Sequence, residues 1–366
     1  MNTTPTLIAD RTQLESLGQL ARDAPLLAID TEFMREKTYR AELCLLQLGN
    51  EGWRSCIDPL ALNLDLDAGW LAARWQSADC QLVMHAARQD LEVLAPRLGP
   101  PRNIFDTQVA AALSGLPPQI GYADLTRRLL GVELSKAETR TDWSRRPLSA
   151  AQIDYALDDV RYLPALRAEL LTKLAAQGRT DWLAEELGGF DDPGLNEIRP
   201  EHAWQRLKGL YGLDPARLRL AQQLASWRES RAMQRNRPRG WILDDAVLRA
   251  MIQSPPRDLA ALRAIPDMQP GVADRAGTDL LAVIDACELP GELPPLPKRT
   301  RPDPAFEAQV RRLGELTKTV ASSLDMAPEM LATRKDLEQV ARGDDSAAPL
   351  NGWRRAVVGA KLLAVA

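Results

Sequence analysis

The chain changes character near residue 148, and this change restricts it to folds that join a domain of mixed strands and helices to helical domains. Before this point, apolar runs typical of strands, such as Leu26–Ile29 and Gln81–Met84, alternate with helical stretches such as Arg88–Leu98. After it, apolar residues recur at helical spacing almost to the end. We therefore predict an α/β domain followed by helical domains. Its early strands should be antiparallel neighbours, because their connections are short.

Breaks in the helical pattern divide the second half of the chain. A chain of 366 residues is too long for one ordinary core, so two or three domains are expected. The stretch Gly188–Gly194 is typical of a linker, and residues 289–304 carry six prolines, which excludes a helix. We predict domains at residues 1–190, 195–288 and 305–366, with residues 289–304 as a stiff connector.

Composition excludes several classes of protein. With 45% hydrophobic and 26% charged residues, the chain is typical of a soluble globular protein. It shows no secretory signal, and no apolar stretch approaches the roughly 18 to 20 residues of a membrane span. The cysteines form no CxxC pair, so we expect reduced thiols in a cytoplasmic protein rather than a zinc site or disulfides. They are Cys44, Cys56, Cys80 and Cys287.

Positive charge is concentrated in one segment of a slightly acidic chain. The net charge of −4 argues against a protein that coats nucleic acid by charge alone. Residues 217–239, however, contain seven arginines and a single acidic residue, Glu229. This segment is a candidate phosphate-binding face. In the alternative interpretation, it is a solvated helix face with the loop that follows it. The residues that we select as candidate contacts are Arg228, Arg231, Arg235 and Arg237.

Two carboxylates follow the first apolar strand. Asp30 comes directly after Leu26–Ile29, and Glu32 lies two residues further on. Side chains two residues apart point to the same side of an extended chain. A carboxylate at the end of an apolar run is uncommon, because burying it without compensation is costly. In the alternative interpretation, Asp30 caps a turn and Glu32 pairs with Arg35.

Three later residues are candidates for the same site as Asp30 and Glu32. Asp90 falls in the first turn of a predicted helix, from which its carboxylate can point back towards the first strand, although an acid there also suits the helix dipole. Tyr155 and Asp159 are four residues apart and therefore share one helix face. In the alternative interpretation, Tyr155 and Asp159 are simply neighbours on the protein surface.

Two-metal hydrolysis of a phosphodiester is the chemistry that would require these residue types together. Two divalent cations about 3.5 to 4 Å apart stabilise both the attacking and the leaving oxygen. Mg²⁺ and Mn²⁺ prefer oxygen ligands, so holding a pair of them takes several carboxylates. A tyrosine hydroxyl beside such an ion can orient the attacking water.

Four motifs together resemble the exonuclease motifs of the DEDD superfamily. They are LLAIDTEF (26–33), MHAARQDLEVL (84–94), NIFDTQ (103–108) and DYALDDVRYL (154–163). The spacing of Tyr155 and Asp159 matches the branch of that superfamily with a tyrosine in its third motif. Residues 135–148, SKAETRTDWSRRPL, are similar to ribonuclease D in particular.

This resemblance implies a ribonuclease H-like mixed sheet and a 3′→5′ exoribonuclease that releases 5′-mononucleotides with two cations, Mg²⁺ or Mn²⁺. Asp30 would bridge both metals, and Glu32 and Asp159 would complete the site of the metal that activates water. Asp90 would hold the second metal through water, and Tyr155 would position the nucleophile.

Three further residues beside the motifs are expected to have other roles. We expect Asp106 to support the fold, and we rank Asp158 below Asp159 as a ligand. His85 is expected to be a hydrogen-bonded core residue, because Tyr155 holds the position that a histidine takes in the sister branch.

The helical half resembles HRDC domains, small helical modules that bind nucleic acid. Residues 204–251 carry the resemblance, and residues 305–366 look like a second, more divergent copy. The second copy has few basic residues around its middle, so RNA binding and packing against the catalytic domain remain equal alternatives. The implied partners are tRNA precursors and other small structured RNAs, bound by a cytoplasmic monomer.

Two other functions compete with this one. A DNA 3′→5′ exonuclease would use the same metal chemistry, because the acidic motifs do not distinguish ribose from deoxyribose. A non-catalytic RNA-binding scaffold is the second alternative, and release of 5′-mononucleotides with and without Mg²⁺ would separate it from both enzymes.

Overall fold

The computed structural model describes residues 6–62, 69–135, 141–192, 194, 198–210, 212–287 and 303–366. These residues form two compact units. The first lies within Met1–Met34, Leu43–Asn196 and Pro302–Ala366, and the second within Arg35–Glu42 and Glu197–Arg301. Most of the connector predicted at residues 289–304 lies outside the described residues. The boundaries drawn from the sequence therefore remain predictions.

A mixed six-stranded sheet forms the centre of the first unit. Its order is β1-β4-β3-β2-β5-β6, with β3 antiparallel to β4 and with parallel pairs β1–β4, β2–β5 and β5–β6. The strands are β1 (Leu7–Ile8), β2 (Leu26–Met34), β3 (Glu42–Gly49), β4 (Arg54–Ile57), β5 (Gln81–Met84) and β6 (Ile104–Asp106). The predicted α/β class is confirmed, as is the antiparallel pairing of β3 with β4.

Strand β2 is longer than its apolar run predicts. It continues past Ile29 to Met34, so Asp30 and Glu32 lie inside the strand rather than at its end. Its first residues pair with β5 in parallel, from Leu26 opposite Gln81 to Ala28 opposite Val83. The buried strand thus fixes the backbone beneath both carboxylates.

Helices surround this sheet and continue to the end of the chain. In the first unit they are α1 (Arg11–Ala21), α2 (Pro59–Leu62), α3 (Gly69–Trp75), α4 (Arg88–Leu98), α5 (Thr107–Leu113), α6 (Tyr122–Leu130), α7 (Ala150–Arg161), α8 (Leu163–Ala176) and α9 (Thr180–Gly188). In the second unit they are α10 (Pro215–Arg235), α11 (Arg239–Ile242), α12 (Asp245–Gln253), α13 (Leu259–Arg263) and α14 (Pro270–Cys287). The last segment carries α15 (Pro304–Ser323), α16 (Arg334–Ala341), α17 (Gly352–Arg354) and α18 (Ala360–Leu363), with a π-helical turn at Arg355–Gly359. Short 3₁₀ helices lie at Gly189–Asp191, Pro200–Arg206, Pro328–Met330 and Ala348–Leu350. No helix in these described ranges is long and apolar enough to cross a membrane.

Helix α7 begins at a capping box. The Ser149 side chain accepts a hydrogen bond from the backbone N–H of Gln152, and the Gln152 side chain accepts one from the backbone N–H of Ser149. This reciprocal pair satisfies two amides that a helix start otherwise leaves unpaired. Ser149 is therefore the N-cap, and it fixes where the helix with Tyr155 and Asp159 begins.

The last segment, residues 303–366, packs into the core of the α/β domain. Leu313 belongs to the same buried cluster as Val83 of the sheet and Leu166 of α8. The Trp353 ring stacks on Trp182 with centroids 4.4 Å apart, and its Nε1–H donates to Glu186. The sequence left two roles open for this segment, RNA binding and packing against the α/β domain. The structure shows that it packs against this domain.

Candidate active site

Strand β2 and helix α7 bring three carboxylates together. Asp30 and Glu32 are two residues apart on β2, and Asp159 comes from the last turns of α7. One oxygen from each of these side chains lies within 4.8 Å of the other two, close enough to share a metal ion. We call Asp30, Glu32 and Asp159 the acidic cluster.

Burial and mutual repulsion raise the pKa values of these groups. The pKa of Asp30 lies well above its usual value, first because of burial and then because of the charges of neighbouring carboxylates. Burial, followed by Asp159 and Asp90, raises the pKa of Glu32 to about 8. Burial, followed by Asp158, raises that of Asp159 to about 7. A bound cation would favour the ionised forms, so the set suits hard divalent metals.

Asp90 lies beside the acidic cluster on a different element. It sits in the first turn of α4, is 7% exposed, and accepts a hydrogen bond of 2.5 Å from the Thr31 hydroxyl. Burial raises its pKa to about 7 despite the opposing effect of that hydrogen bond. Its charge contributes to the raised pKa values of Asp30 and Glu32, which places it close to both. Sequence reasoning missed Thr31, although its position between two acidic residues was a signal.

Tyr155 shares a helix face with Asp159 and packs on an aromatic neighbour. The Tyr155 ring centroid lies 6.2 Å from that of Trp143, and both rings belong to an apolar cluster with Cys44 and Cys56. Burial raises the pKa of the Cys56 thiol, as do the charges of the acidic cluster, so this apolar patch adjoins the carboxylates. Trp143 lies in the segment similar to ribonuclease D, but sequence reasoning gave it no role.

Arg146 anchors the same segment to the sheet. Its guanidinium donates to both carboxylate oxygens of Asp58, at 2.6 and 2.8 Å, and to the carbonyl of Cys44 at 2.7 Å. Burial acts to raise the pKa of Asp58, but its hydrogen bonds, chiefly from Arg146, outweigh burial and lower it. The carboxylate therefore stays ionised and holds the segment with Trp143 against β3. Arg146 was also missed from the sequence.

The residues expected to be structural have structural partners. Asp106 accepts hydrogen bonds from the backbone N–H groups of Ala86, Ala87 and Gln108. His85 contacts the Thr107 hydroxyl and the Ile120 carbonyl, and burial lowers its pKa. Asp158 lies 2.9 Å from Arg161, one turn along the helix surface. None of these three is in the acidic cluster identified among the described residues.

One of the predicted phosphate contacts requires a correction. Arg228 is 6% exposed, and its guanidinium donates to the Leu243 carbonyl at 3.0 Å and to Asp245 at 2.6 Å. It thus ties α10 to the start of α12 and does not face solvent. Arg235 and Arg237 are exposed, and Arg231 is half-buried, 3.8 Å from Asp279.

Family models match two separate parts of the chain. A model described as 3′-5′ exonuclease matches residues 5–175, and the HRDC domain matches residues 217–284. The mixed sheet and the acidic cluster thus belong to a 3′→5′ exonuclease domain, which is followed in the chain by an HRDC domain.

Similarity to known ribonucleases covers nearly the whole chain. Ribonuclease D of Granulibacter bethesdensis is 38% identical over 371 residues, covering 99% of this chain and 92% of that protein. Ribonuclease D of Gluconacetobacter diazotrophicus is 37% identical over 369 residues, covering 99% and 92%. The crystal structure of Escherichia coli RNase D, an exoribonuclease involved in structured RNA processing, matches with a TM-score of 0.88 at 28% identity, covering 100% of this chain and 98% of that one.

The chain belongs to the ribonuclease D family, and it is a 3′→5′ exoribonuclease. The resemblance inferred from the motifs is therefore confirmed, and the DNA exonuclease alternative is not favoured. Enzymes of this superfamily use divalent metal cations, and the acidic cluster supplies the oxygen ligands that such cations prefer.

Proposed function

We propose that Asp30, Glu32, Asp90 and Asp159 hold two divalent cations, Mg²⁺ or Mn²⁺, and that RNA is hydrolysed there to 5′-mononucleotides. The proposal rests on the acidic cluster, whose three carboxylates come within 4.8 Å of one another beside Asp90. Their raised pKa values mean that ionising all of them is unfavourable without added positive charge. When bound, the metals supply an activated water and neutralise charge on the phosphate.

Each acidic residue has a proposed share of this task. Asp30 would help to hold both metals, because it is in electrostatic contact with Glu32, Asp159 and Asp90. Glu32 and Asp159 would hold the metal that supplies the activated water. Asp90, which accepts a hydrogen bond from the Thr31 hydroxyl, would help to hold the second metal through water.

Tyr155 is proposed to orient the attacking water. It lies one helical turn before Asp159, so both side chains project from the same face of α7. The ring of Trp143 beside it limits the positions that the phenol can take. A hydroxyl held in this way lowers the barrier mainly by fixing the direction of attack.

The proposed substrates are tRNA precursors and other small structured RNAs, trimmed from their 3′ ends by a cytoplasmic monomer. The family resemblance carries this proposal, together with the role of the E. coli relative in structured RNA processing. Cys44, Cys56 and Cys80 are buried free thiols, which suits a reducing compartment.

Digestion of a labelled RNA and a DNA of the same sequence tests the proposal. We expect 5′-mononucleotides from RNA, released from the 3′ end in the presence of Mg²⁺ or Mn²⁺ and not with EDTA. Products that keep a 3′-phosphate, or equal turnover of DNA, would contradict it. An RNA that is bound but never cleaved would indicate a scaffold without catalysis.

A further inference from the structure

Trp241 is an exposed aromatic residue on a fixed backbone. Its side chain is 56% exposed, the highest value among the large hydrophobic side chains in the described parts of the chain. The next two residues, Ile242 and Leu243, are buried at 8% and 3%, and the Trp241 backbone N–H donates to the Pro238 carbonyl. The backbone is thus anchored on both sides, while the indole faces solvent.

Arginines surround one side of the indole. The guanidinium of Arg237 lies 5.8 Å from the Trp241 ring centroid. A shallow pocket is lined by Trp241 together with Arg231, Arg235 and Arg275. Arg231 has an acidic neighbour, Asp279, at 3.8 Å, which leaves the group with a clear excess of positive charge. This side therefore suits an anionic ligand.

A second shallow pocket beside Trp241 has a different character. It is lined by Trp241 with Asp244, Asp267 and Gln269. Its lining contains no basic residue. It offers carboxylate and amide groups, which accept hydrogen bonds from amino groups on a neutral planar ring. A ligand that contacts both pockets should thus place negative charge in the first and neutral hydrogen-bond donors in the second.

We propose that Trp241 is a stacking platform for an unpaired base of single-stranded RNA, with the phosphates running over Arg231, Arg235, Arg237 and Arg275. A nucleic acid strand has this division between an anionic backbone and neutral, planar, hydrogen-bonding bases. A duplex conceals the faces of its bases, so a single strand fits and a blunt duplex does not. This inference deepens the proposed function and rests on its assignment of RNA as the substrate.

Binding of RNA to the full-length protein tests the platform. A fluorescein-labelled oligoadenylate of about 12 nucleotides would be titrated in EDTA, so that no hydrolysis occurs, and followed by anisotropy. Trp241→Ala should weaken binding roughly 5- to 150-fold, the range for stacking on one aromatic residue, whereas Trp241→Phe should retain most of the affinity. Arg235→Ala should instead reduce the dependence of affinity on salt.

Matched controls separate stacking from general damage. Leu20→Ala removes another exposed large side chain, 51% exposed in α1, and should leave binding unchanged. Trp241→Ala should also leave binding of a blunt RNA duplex unchanged. An equal loss with the duplex, or no loss with the single strand, would overturn the proposal. If Trp241→Ala binds RNA normally while the wild type still releases mononucleotides, this inference fails and the proposed function stands. An RNA that the wild type never hydrolyses defeats the proposed function instead.

Discussion

Trp241 and Trp353 lie in opposite environments in the two helical segments. Trp241, in the second unit, is 56% exposed beside several arginines. Trp353, in the last segment, is 7% exposed, stacks on Trp182 and donates a hydrogen bond to Glu186. The first tryptophan is available to a ligand, whereas the second stabilises the exonuclease domain.

Two exposed arginines of the last segment have acidic neighbours. In the last segment, Arg334 pairs with Glu307 and Glu338, and Arg342 also lies near Glu338. In the second unit, Arg235 and Arg237 are exposed. The last segment thus supports the first unit, whereas the second unit carries the surface that we propose to bind RNA. We expect the following changes to separate these roles.

Loss of the last segment should have the largest effect. Deleting residues 303–366 would expose Leu166 and Leu170, which share a buried cluster with this segment. We expect a chain that no longer unfolds cooperatively and that aggregates, as measured by circular dichroism and gel filtration.

Two single substitutions sharpen this prediction. Leu313→Ala removes a fully buried side chain and should lower the free energy of unfolding by about 2 to 5 kcal/mol. Leu363→Ala, at a half-exposed position, should change it by less than about 0.5 kcal/mol. Equal stability of the two variants in urea titrations would contradict a supporting role for the segment.

Removal of one cluster charge should abolish hydrolysis without affecting either helical segment. Asp30→Asn keeps the volume of the side chain but removes a charge that neutralises metal. We expect turnover below roughly 1% of wild type at saturating Mg²⁺, with single-strand binding unchanged. Asp158→Asn is the matched control, because Asp158 lies beside Arg161 outside the cluster and should keep near-normal turnover. The opposite result for these two aspartates would show that the site is misassigned.

Tyr155→Phe should have a smaller effect on catalysis. The ring keeps its contact with Trp143, so the melting temperature should hardly change. An orienting group contributes more to the transition state than to the ground state, so kcat should fall while KM stays similar. We expect a loss near 10²-fold, at the low end for such groups, because the metals remain. An unchanged kcat would make Tyr155 a packing residue.

The smallest expected effect is a pH dependence of opposite sign in the two units. Carboxyl groups of the acidic cluster have raised pKa values, so they bind protons more tightly in the folded state. Without metal, the first unit should therefore lose stability as pH rises from about 4 to about 8. In the second unit, burial acts to raise the pKa of Glu229, but hydrogen bonds from Arg239 and Tyr39 outweigh it. The stabilisation of the second unit by ionised Glu229 is therefore present above about pH 4 and is lost below it.

Hydrogen exchange measured by mass spectrometry, corrected for the intrinsic pH dependence, distinguishes the units. In EDTA, peptides from β2 and α7 should lose protection between about pH 5 and pH 8, and Mg²⁺ should restore it. Peptides from α10 should show no such loss. Glu229→Gln provides a control, because it should affect peptides of the second unit and leave those from β2 and α7 unchanged. Parallel behaviour of the two units would refute the assignment of these charges.

Local patterns were sufficient to predict much of the fold. The bounds of β5 and α4 agree with the prediction, because apolar runs and a Gly-Pro stop are encoded within a few residues. Strand β6 was missed, since its three residues are identified as a strand by their pairing with β5. The last segment was predicted to be helical, but its partner in the core is distant in sequence and leaves no local pattern.

The same limit applies to the candidate site. The acidic residues were predicted by residue type and spacing, and the structure brings three of them together beside Asp90. Thr31 and Arg146 were missed because their partners are 59 and 88 residues away. Arg228 was selected for its charge, but its burial depends on Leu243 and Asp245, which a count of arginines does not reveal.

The shared core of the first unit also sets when this enzyme can become active during its synthesis. Residues from Ala28 to Leu362 contribute to one buried cluster, with the second unit encoded between its parts. A nascent chain that has emerged as far as the second unit still lacks α15 and the helices that follow. The nuclease core is therefore completed only after α15 and the helices that follow have been synthesised, whereas the second unit has its own core and can fold earlier. During synthesis, the second unit is thus complete before the nuclease core is.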